Sequence, residues 1–204
     1  MNKTLFLLGL TMLFSSVAKA QATFAFGWKA GLNLASEISV VDGKRGTTLP
    51  AASYHVGLYL DKRIKPTFAI QPGLFIQGKG GEYKEDGYTY TDKLTYLEIP
   101  LNFVFYMPLR KGELFYGLGP YAAFGLSAKI KRDNITVDLE WGDRENQIRQ
   151  MDAGVNFLTG YKFESGVVLG IASGIGLINL SNRNNASFRN QVASISVGYE
   201  FGRK

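Results

Sequence analysis

Residues 94–107, LTYLEIPLNFVFYM, divide with period two into an apolar face and a mixed one. Thr95, Leu97, Ile99, Leu101, Phe103, Phe105 and Met107 fall on the first. Tyr96, Glu98, Pro100, Asn102, Val104 and Tyr106 fall on the second. Such alternation predicts a strand. Soluble strands run about 5–6 residues, whereas a tilted membrane-crossing strand needs about 9–11. This segment is long enough to cross a bilayer, with its apolar face toward lipid and Glu98 and Asn102 toward an interior.

The same pattern recurs over 24–35, 52–64, 67–78, 113–129, 150–163, 167–180 and 191–201. Pro72 interrupts the third strand and predicts a bulge or kink there, because proline cannot donate to a ladder. Long connections (36–50, 79–93, 130–149, 181–190) alternate with tight ones near 62–66, 108–112 and 164–166. A short strand extension is expected at Ile135-Thr136-Val137. Eight segments joined in this way predict an all-β protein, an eight-stranded antiparallel up-and-down transmembrane β-barrel. Short turns of such barrels face the periplasm and long loops face outward, and an even strand count returns both termini to the periplasm.

Two arrangements fit alternating faces. A soluble lipocalin-like ligand-binding barrel hides the apolar face; its Gly-x-Trp opening is not matched by Gly27-Trp28. A membrane barrel shows that face to lipid. The strand lengths, the Gly, Ser, Asn and Gln of the other face, and aromatics at the presumed periplasmic rim favour the membrane form. Those aromatics are Phe24, Phe26, Phe105, Tyr116, Tyr161, Phe163, Tyr199 and Phe201, placed as headgroup-level girdles are.

The first twenty residues change the compartment. Lys3, the apolar run 5–17 and Ala18-Lys19-Ala20 have the order of a cleaved signal peptide, so 1–20 is expected to leave and 21–204 to form the barrel domain. There is no cysteine, which excludes a lipoprotein anchor and a disulfide framework. The net charge of +6 comes from basic residues scattered among acidic ones. A nucleic-acid surface would need a clustered stripe, so no nucleic-acid partner is expected.

Candidate chemistry is sparse. Lys29, Asp61, Glu98, Asn102, Asp152, Lys162 and Glu200 share the interior face and predict a structural polar network, since buried charges must pair or be solvated. Glu98 and Asp152 are expected to be neutralised by Lys29 and Lys162, plugging the lumen; an ion path is the alternative. His55 is the single histidine, so no multi-histidine metal site can form. Ser53 and His55 share a face, the pairing of a lipid-modifying enzyme, but no carboxylate partner follows from spacing and both point inward. Gly117 and Gly119 alternate within a strand and open no helix, unlike a phosphate loop. Neither a catalytic residue, a metal nor a cofactor is assigned.

Several pieces taken together resemble the PorT-type outer-membrane β-barrel family of Bacteroidota: GWKAGLNLA (27–35), YLEIPLNF (96–103), YGLGPYAAF (116–124), DAGVNF (152–157), GLINLS (176–181) and SVGYEFG (196–202). The resemblance covers nearly all of 21–204 in order. It implies an eight-stranded Gram-negative outer-membrane barrel, in a family whose founding member is linked to protein secretion. The chain departs from it at Ala172-Ser173, where members often carry Arg-Tyr. Val197, Tyr199 and Phe201 resemble the terminal signal read by the barrel-assembly machinery.

The expected function is a monomeric, non-enzymatic scaffold, possible accessory to secretion included. It would sit among outer-membrane lipid and lipopolysaccharide and meet a protein or glycan through its outer loops. A lipid-modifying enzyme and a soluble lipocalin-like barrel are the alternatives.

Overall fold

The computed structural model describes residues 24–133 and 135–202; the expected signal segment lies outside them. Ten strands follow in order: β1 (Phe24–Val41), β2 (Lys44–Thr47), β3 (Ala51–Lys65), β4 (Phe68–Glu85), β5 (Tyr88–Leu109), β6 (Gly112–Arg132), β7 (Ile135–Asp138), β8 (Met151–Phe163), β9 (Val167–Gly176) and β10 (Ala186–Phe201). Eight of them form an antiparallel wall in the order β10-β9-β8-β6-β5-β4-β3-β1. The wall closes where β1 pairs with β10, from Phe26 opposite Phe201 to Val41 opposite Ala186. Closure removes both sheet edges, so each of the eight wall strands has two partners. The short strands β2 and β7 hairpin back onto β1 and β6. No helix occurs among the described residues.

The outer face is apolar and exposed: Phe24, Phe26, Trp28, Leu32 and Leu34 on β1, and Ile99, Leu101, Phe105 and Met107 on β5. The inner face is buried and mixed, with Tyr59, Tyr96, Tyr106 and Tyr121 beside Asp61, Glu98, Asp152 and Glu200. This inverts a soluble barrel and excludes the lipocalin-like alternative. Aromatic rings ring the end that carries the termini, where Phe26 stacks on Phe201 at 6.4 Å and Phe105 contacts Phe68 at 5.0 Å and Tyr116 at 5.6 Å.

Strands β5 and β6 are 22 and 21 residues long, about twice the 9–11 needed to cross. Above Leu34 and Leu97 the outward face turns polar through Ser36, Thr95 and Lys93, so the upper strand halves project beyond the apolar band as a crown. Much of 36–50 and 79–93, expected as loop, is therefore strand. The reversals are Asp42-Gly43 and Asp86-Gly87, all four with positive φ, as two-residue hairpin turns demand. The extension at 135–137 forms as β7. Residues 177–180 leave the ladder, and β10 starts at Ala186 where 191 was expected.

The register passes Pro72 without an added residue, running from Pro72–Leu101 to Phe75–Glu98. Proline here sits where ladder bonds are skipped, which removes the need for a bulge. Register shifts occur instead at Arg63–Lys65 and at Thr95–Tyr96.

Candidate functional site: charged lumen clusters and a crown cavity

Two charged clusters occupy the lumen, one near each end, with a cavity of about 90 Å³ between them. At the end carrying the termini, Arg63 lies 3.0 Å from Asp61 and grips Glu113 with both terminal nitrogens at 2.7 and 3.3 Å. Lys162 bridges Glu113 at 3.0 Å and Glu200 at 2.8 Å. Tyr59 donates to Glu200 at 3.2 Å. The Tyr106 hydroxyl donates to Asp61, which also accepts from Gln71 at 2.7 Å. The Arg63 guanidinium lies 3.3 Å over the Tyr106 ring.

In the half away from the termini, Lys79 is the hub. Its ammonium lies 2.9 Å from Glu98 and 3.1 Å from Asp152, and 4.0 Å over the Tyr121 ring. Asn190 donates to Asp152 at 3.0 Å, and Asn156 donates to Glu98 at 3.1 Å. Every acid here has a counter-charge or donors, as a low-dielectric interior requires.

The expected partners are thus rearranged. Glu98 and Asp152 are neutralised by Lys79, and Lys162 serves Glu113 and Glu200. Height along the strand explains it: Asp152 and Lys162 are ten residues apart on β8, about 33 Å of extended chain. Lys29 sits 4.5 Å over the Tyr59 ring and 5.4 Å from that of Phe115. Asn102 faces the space between the clusters, its Oδ1 buried without a protein partner. Lys79, Arg63 and Glu113 escaped the sequence reading because they lay at presumed strand ends. Their parity was the available signal, since Lys79 continues the inward set Gln71, Phe75, Gln77, and Arg63 continues Tyr59, Asp61.

Ser53 and His55 do not engage each other. Ser53 donates to the Gly78 carbonyl at 3.0 Å, and His55 Nδ1 lies 2.7 Å from Asn33 Oδ1. Asn33 spends its amide hydrogens on the Tyr54 and Gly78 carbonyls, so its oxygen accepts and Nδ1 carries the imidazole proton.

Beyond the Lys79 cluster, an apolar cap covers the lumen. Leu94, Tyr96, Tyr121, Ala123, Ala128 and Leu180 pack together, covered by Leu139, Trp141, Ile148 and Phe188. Trp141 meets Tyr96 edge-on at 5.7 Å and lies against Gly125, where a Cβ would come within 2.6 Å of the indole. The segment carrying it is tied down: Asn182 donates to the carbonyls of Gly142 at 2.8 Å and Gln147 at 3.1 Å.

Over this cap, inside the crown, is a cavity of about 410 Å³ whose lining includes Glu37, Asp92, Tyr83, Leu94, Leu180 and Phe188. Thr48 also lines it, and next to it Leu49 and Glu82 of β4 exchange bonds at 2.7 and 2.9 Å. Glu37 on β1 and Asp92 on β5 face each other and share a hydrogen bond. Burial pushes the Glu37 carboxyl above the ordinary range, and the charge of Asp92 pushes it further. Burial raises Asp92 too, while the bond from Glu37 holds it lower. The two carboxyls therefore share a proton. Neither residue was picked out from the sequence, because both lay in segments expected as loop. Among the described residues no group of three His, Cys, Asp or Glu is placed to hold a metal ion.

A closed antiparallel barrel with an apolar outer band, an aromatic rim and a charged interior defines an outer-membrane β-barrel protein. Residues 17–182 match the family described as outer membrane protein beta-barrel domain. The chain belongs to that family, which places it in the outer membrane. No curated protein matches the sequence. Among solved structures it is similar to OprG of Pseudomonas aeruginosa, at 13% identity and TM-score 0.49, covering 88% of this chain and 96% of that one. It is also similar to Ail, the attachment invasion locus protein of Yersinia pestis, at 11% identity and TM-score 0.45, covering 87% and 98%. Neisserial surface protein A is a third, at 13% identity and TM-score 0.45, covering 88% and 98%.

Proposed function

We propose that this protein is a closed, non-enzymatic recognition barrel: it spans the outer membrane as a monomer, keeps both termini in the periplasm and presents its crown outside. The observation that carries the reading is the contrast between a lumen occupied by two ion-pair clusters under an apolar cap and strands that overshoot the membrane to build a folded crown. A channel has no use for the first, and a mere anchor has no use for the second. Lys93 pairs with Lys129 across β5 and β6, both exposed just above the apolar band, where lipopolysaccharide phosphates lie. The crown itself meets a protein or a glycan. A PorT-type membership in Bacteroidota fits the sequence pieces quoted above, and any accessory part in secretion would act through the same crown. Val197, Tyr199 and Phe201 are the residues offered to the barrel-assembly machinery. The lipid-modifying alternative lacks its dyad, since Ser53 and His55 are bonded elsewhere.

The test pairs two measurements. Purified protein in planar bilayers is expected to show no sustained single-channel opening. On arrays of glycans and lipopolysaccharides, nanodisc-embedded protein is expected to bind, and a variant with residues 82–89 shortened to a two-residue turn is expected to lose that binding. Stable ion-selective openings in the wild type would overturn the reading.

A further inference from the structure

The crown cavity has a distribution of chemistry that the recognition reading does not by itself explain. Part of its lining is hydrocarbon and aromatic, from Leu94, Ile148, Leu180 and Phe188. Beside these it presents two acids, Glu37 and Asp92. Glu37 is only 6% exposed, yet its side chain bonds to another carboxyl. Among the described residues no lysine or arginine nitrogen comes within ion-pair distance of Glu37 or Asp92. Everywhere else in this barrel a buried acid has a cation or a set of donors. A buried carboxyl lacking them is costly unless something brings a counter-charge.

The arrangement is held open by the fold. Gly81 pairs with Asp92, and a Cβ on it would meet Thr48 Oγ1 at 2.0 Å and Glu37 N at 3.3 Å. The bare backbone at Gly81 thus lets the β1 crown close on β4 and sets the two acids opposite each other. Other groups lining the cavity are Tyr83 from β4, and Glu145 and Arg183 from the covering segments; Tyr96 approaches from below. Three carboxyls against one exposed guanidinium leave the chamber acidic when ionised. A volume of about 410 Å³ suits a small organic molecule, since ligand pockets run about 300–1,000 Å³.

We propose that the crown cavity binds a small organic cation, its ammonium group held between Glu37 and Asp92 and its apolar body against Leu94, Leu180 and Phe188. The inference rests on the crown facing outward and names the ligand class it takes. Binding displaces the proton shared by the two acids: the ammonium takes over the positive charge that the proton had supplied, and the proton passes to solvent. Affinity for the cation therefore rises with pH until the pair is ionised.

The experiment uses full-length processed protein in nanodiscs, with 2-phenylethylammonium as probe and uncharged 2-phenylethanol as its control. Calorimetry near neutral pH in two buffers of different ionisation enthalpy reads affinity and protons released together. Saturable one-site binding of the ammonium is expected, with the alcohol at least tenfold weaker and net proton release. Glu37→Gln and Asp92→Asn should each weaken the ammonium at least tenfold and remove the release; heat-modifiable gel mobility verifies that each variant assembles. Equal affinity for the two probes, no binding of the ammonium, or unchanged binding in both variants overturns the proposal. Those outcomes leave the recognition reading standing, because array binding and conductance are measured separately.

Discussion

The ammonium of Lys79, on β4, reaches 3.1 Å from the carboxylate of Asp152, on β8 across the lumen. With Glu98 as its second partner, this one side chain neutralises two buried acids and joins opposite walls. Lys79→Met should therefore destabilise the barrel by about 3–5 kcal/mol, the cost of stranding buried charge. The midpoint of urea unfolding, followed by gel mobility, measures it. Adding Glu98→Gln and Asp152→Asn should recover most of the loss. An unchanged midpoint in the single variant would show that the acids are hydrated.

The face assignment has its own test. Leu101 is exposed on the apolar band and Asn102 faces the lumen. Leu101→Arg should cost about 2–4 kcal/mol, as a charge near the bilayer midplane does, while Asn102→Ser should assemble normally. The reverse order of assembly yields would mean that the faces are inverted.

Gly125→Val probes the cap. A side chain there meets the Trp141 indole, so Trp141 is expected to swing off Tyr96. The segment 139–149 should become protease-sensitive, with indole emission shifted toward that of exposed tryptophan. Barrel yield should stay at the wild-type level, because the nearest atoms that the added side chain meets belong to Trp141 of the covering segment.

The acid pair makes crown stability depend on pH. Glu37 titrates higher in the fold than in an unfolded chain, so the folded crown holds a proton that the opened one has lost. Stability is present at low pH and falls as pH rises past the ordinary carboxylate range. Hydrogen exchange at the Leu49 and Glu82 amides, corrected for intrinsic rates, should show opening easier by about 1 kcal/mol near pH 8 than near pH 5. Glu37→Gln should flatten that slope.

At the chain end, Phe201 stacks on Phe26 of the first strand and completes the outward series Val197, Tyr199, Phe201. Phe201→Ala should lower assembly yield more than deletion of residues 202–204, scored by heat-modifiable protein in the outer-membrane fraction. Equal yields would remove Phe201 from the assembly signal.

The barrel was legible in the sequence because lipid enforces one rule on every strand. A polar outward residue in the band is penalised, so Leu97, Ile99, Leu101, Phe103 and Phe105 repeat without exception. Above the band the rule lapses. Thr91, Lys93 and Thr95 face water, the period-two contrast fades, and 79–93 reads as loop although Asp86-Gly87 marks a hairpin. The charged clusters were half legible for a related reason. Alternation shows that Glu98 and Asp152 point inward, but not at what height each sits, and height decided that Lys79 would be their partner. The crown cavity had no local signal, since Glu37 and Asp92 are brought together through the contact at Gly81.

The overshoot of β4 and β5 has a consequence for how such a protein can diverge. Their ladder runs unbroken from the membrane into the crown, so the chamber stands on a rigid mast whose length is counted in residues. Inserting two residues in each strand above Thr95 would lift the chamber by about 7 Å while every side chain kept its face. Inserting one would turn the wall inside out. The height of the chamber above the membrane is therefore adjustable only in steps of two, and each step leaves the charged clusters below untouched.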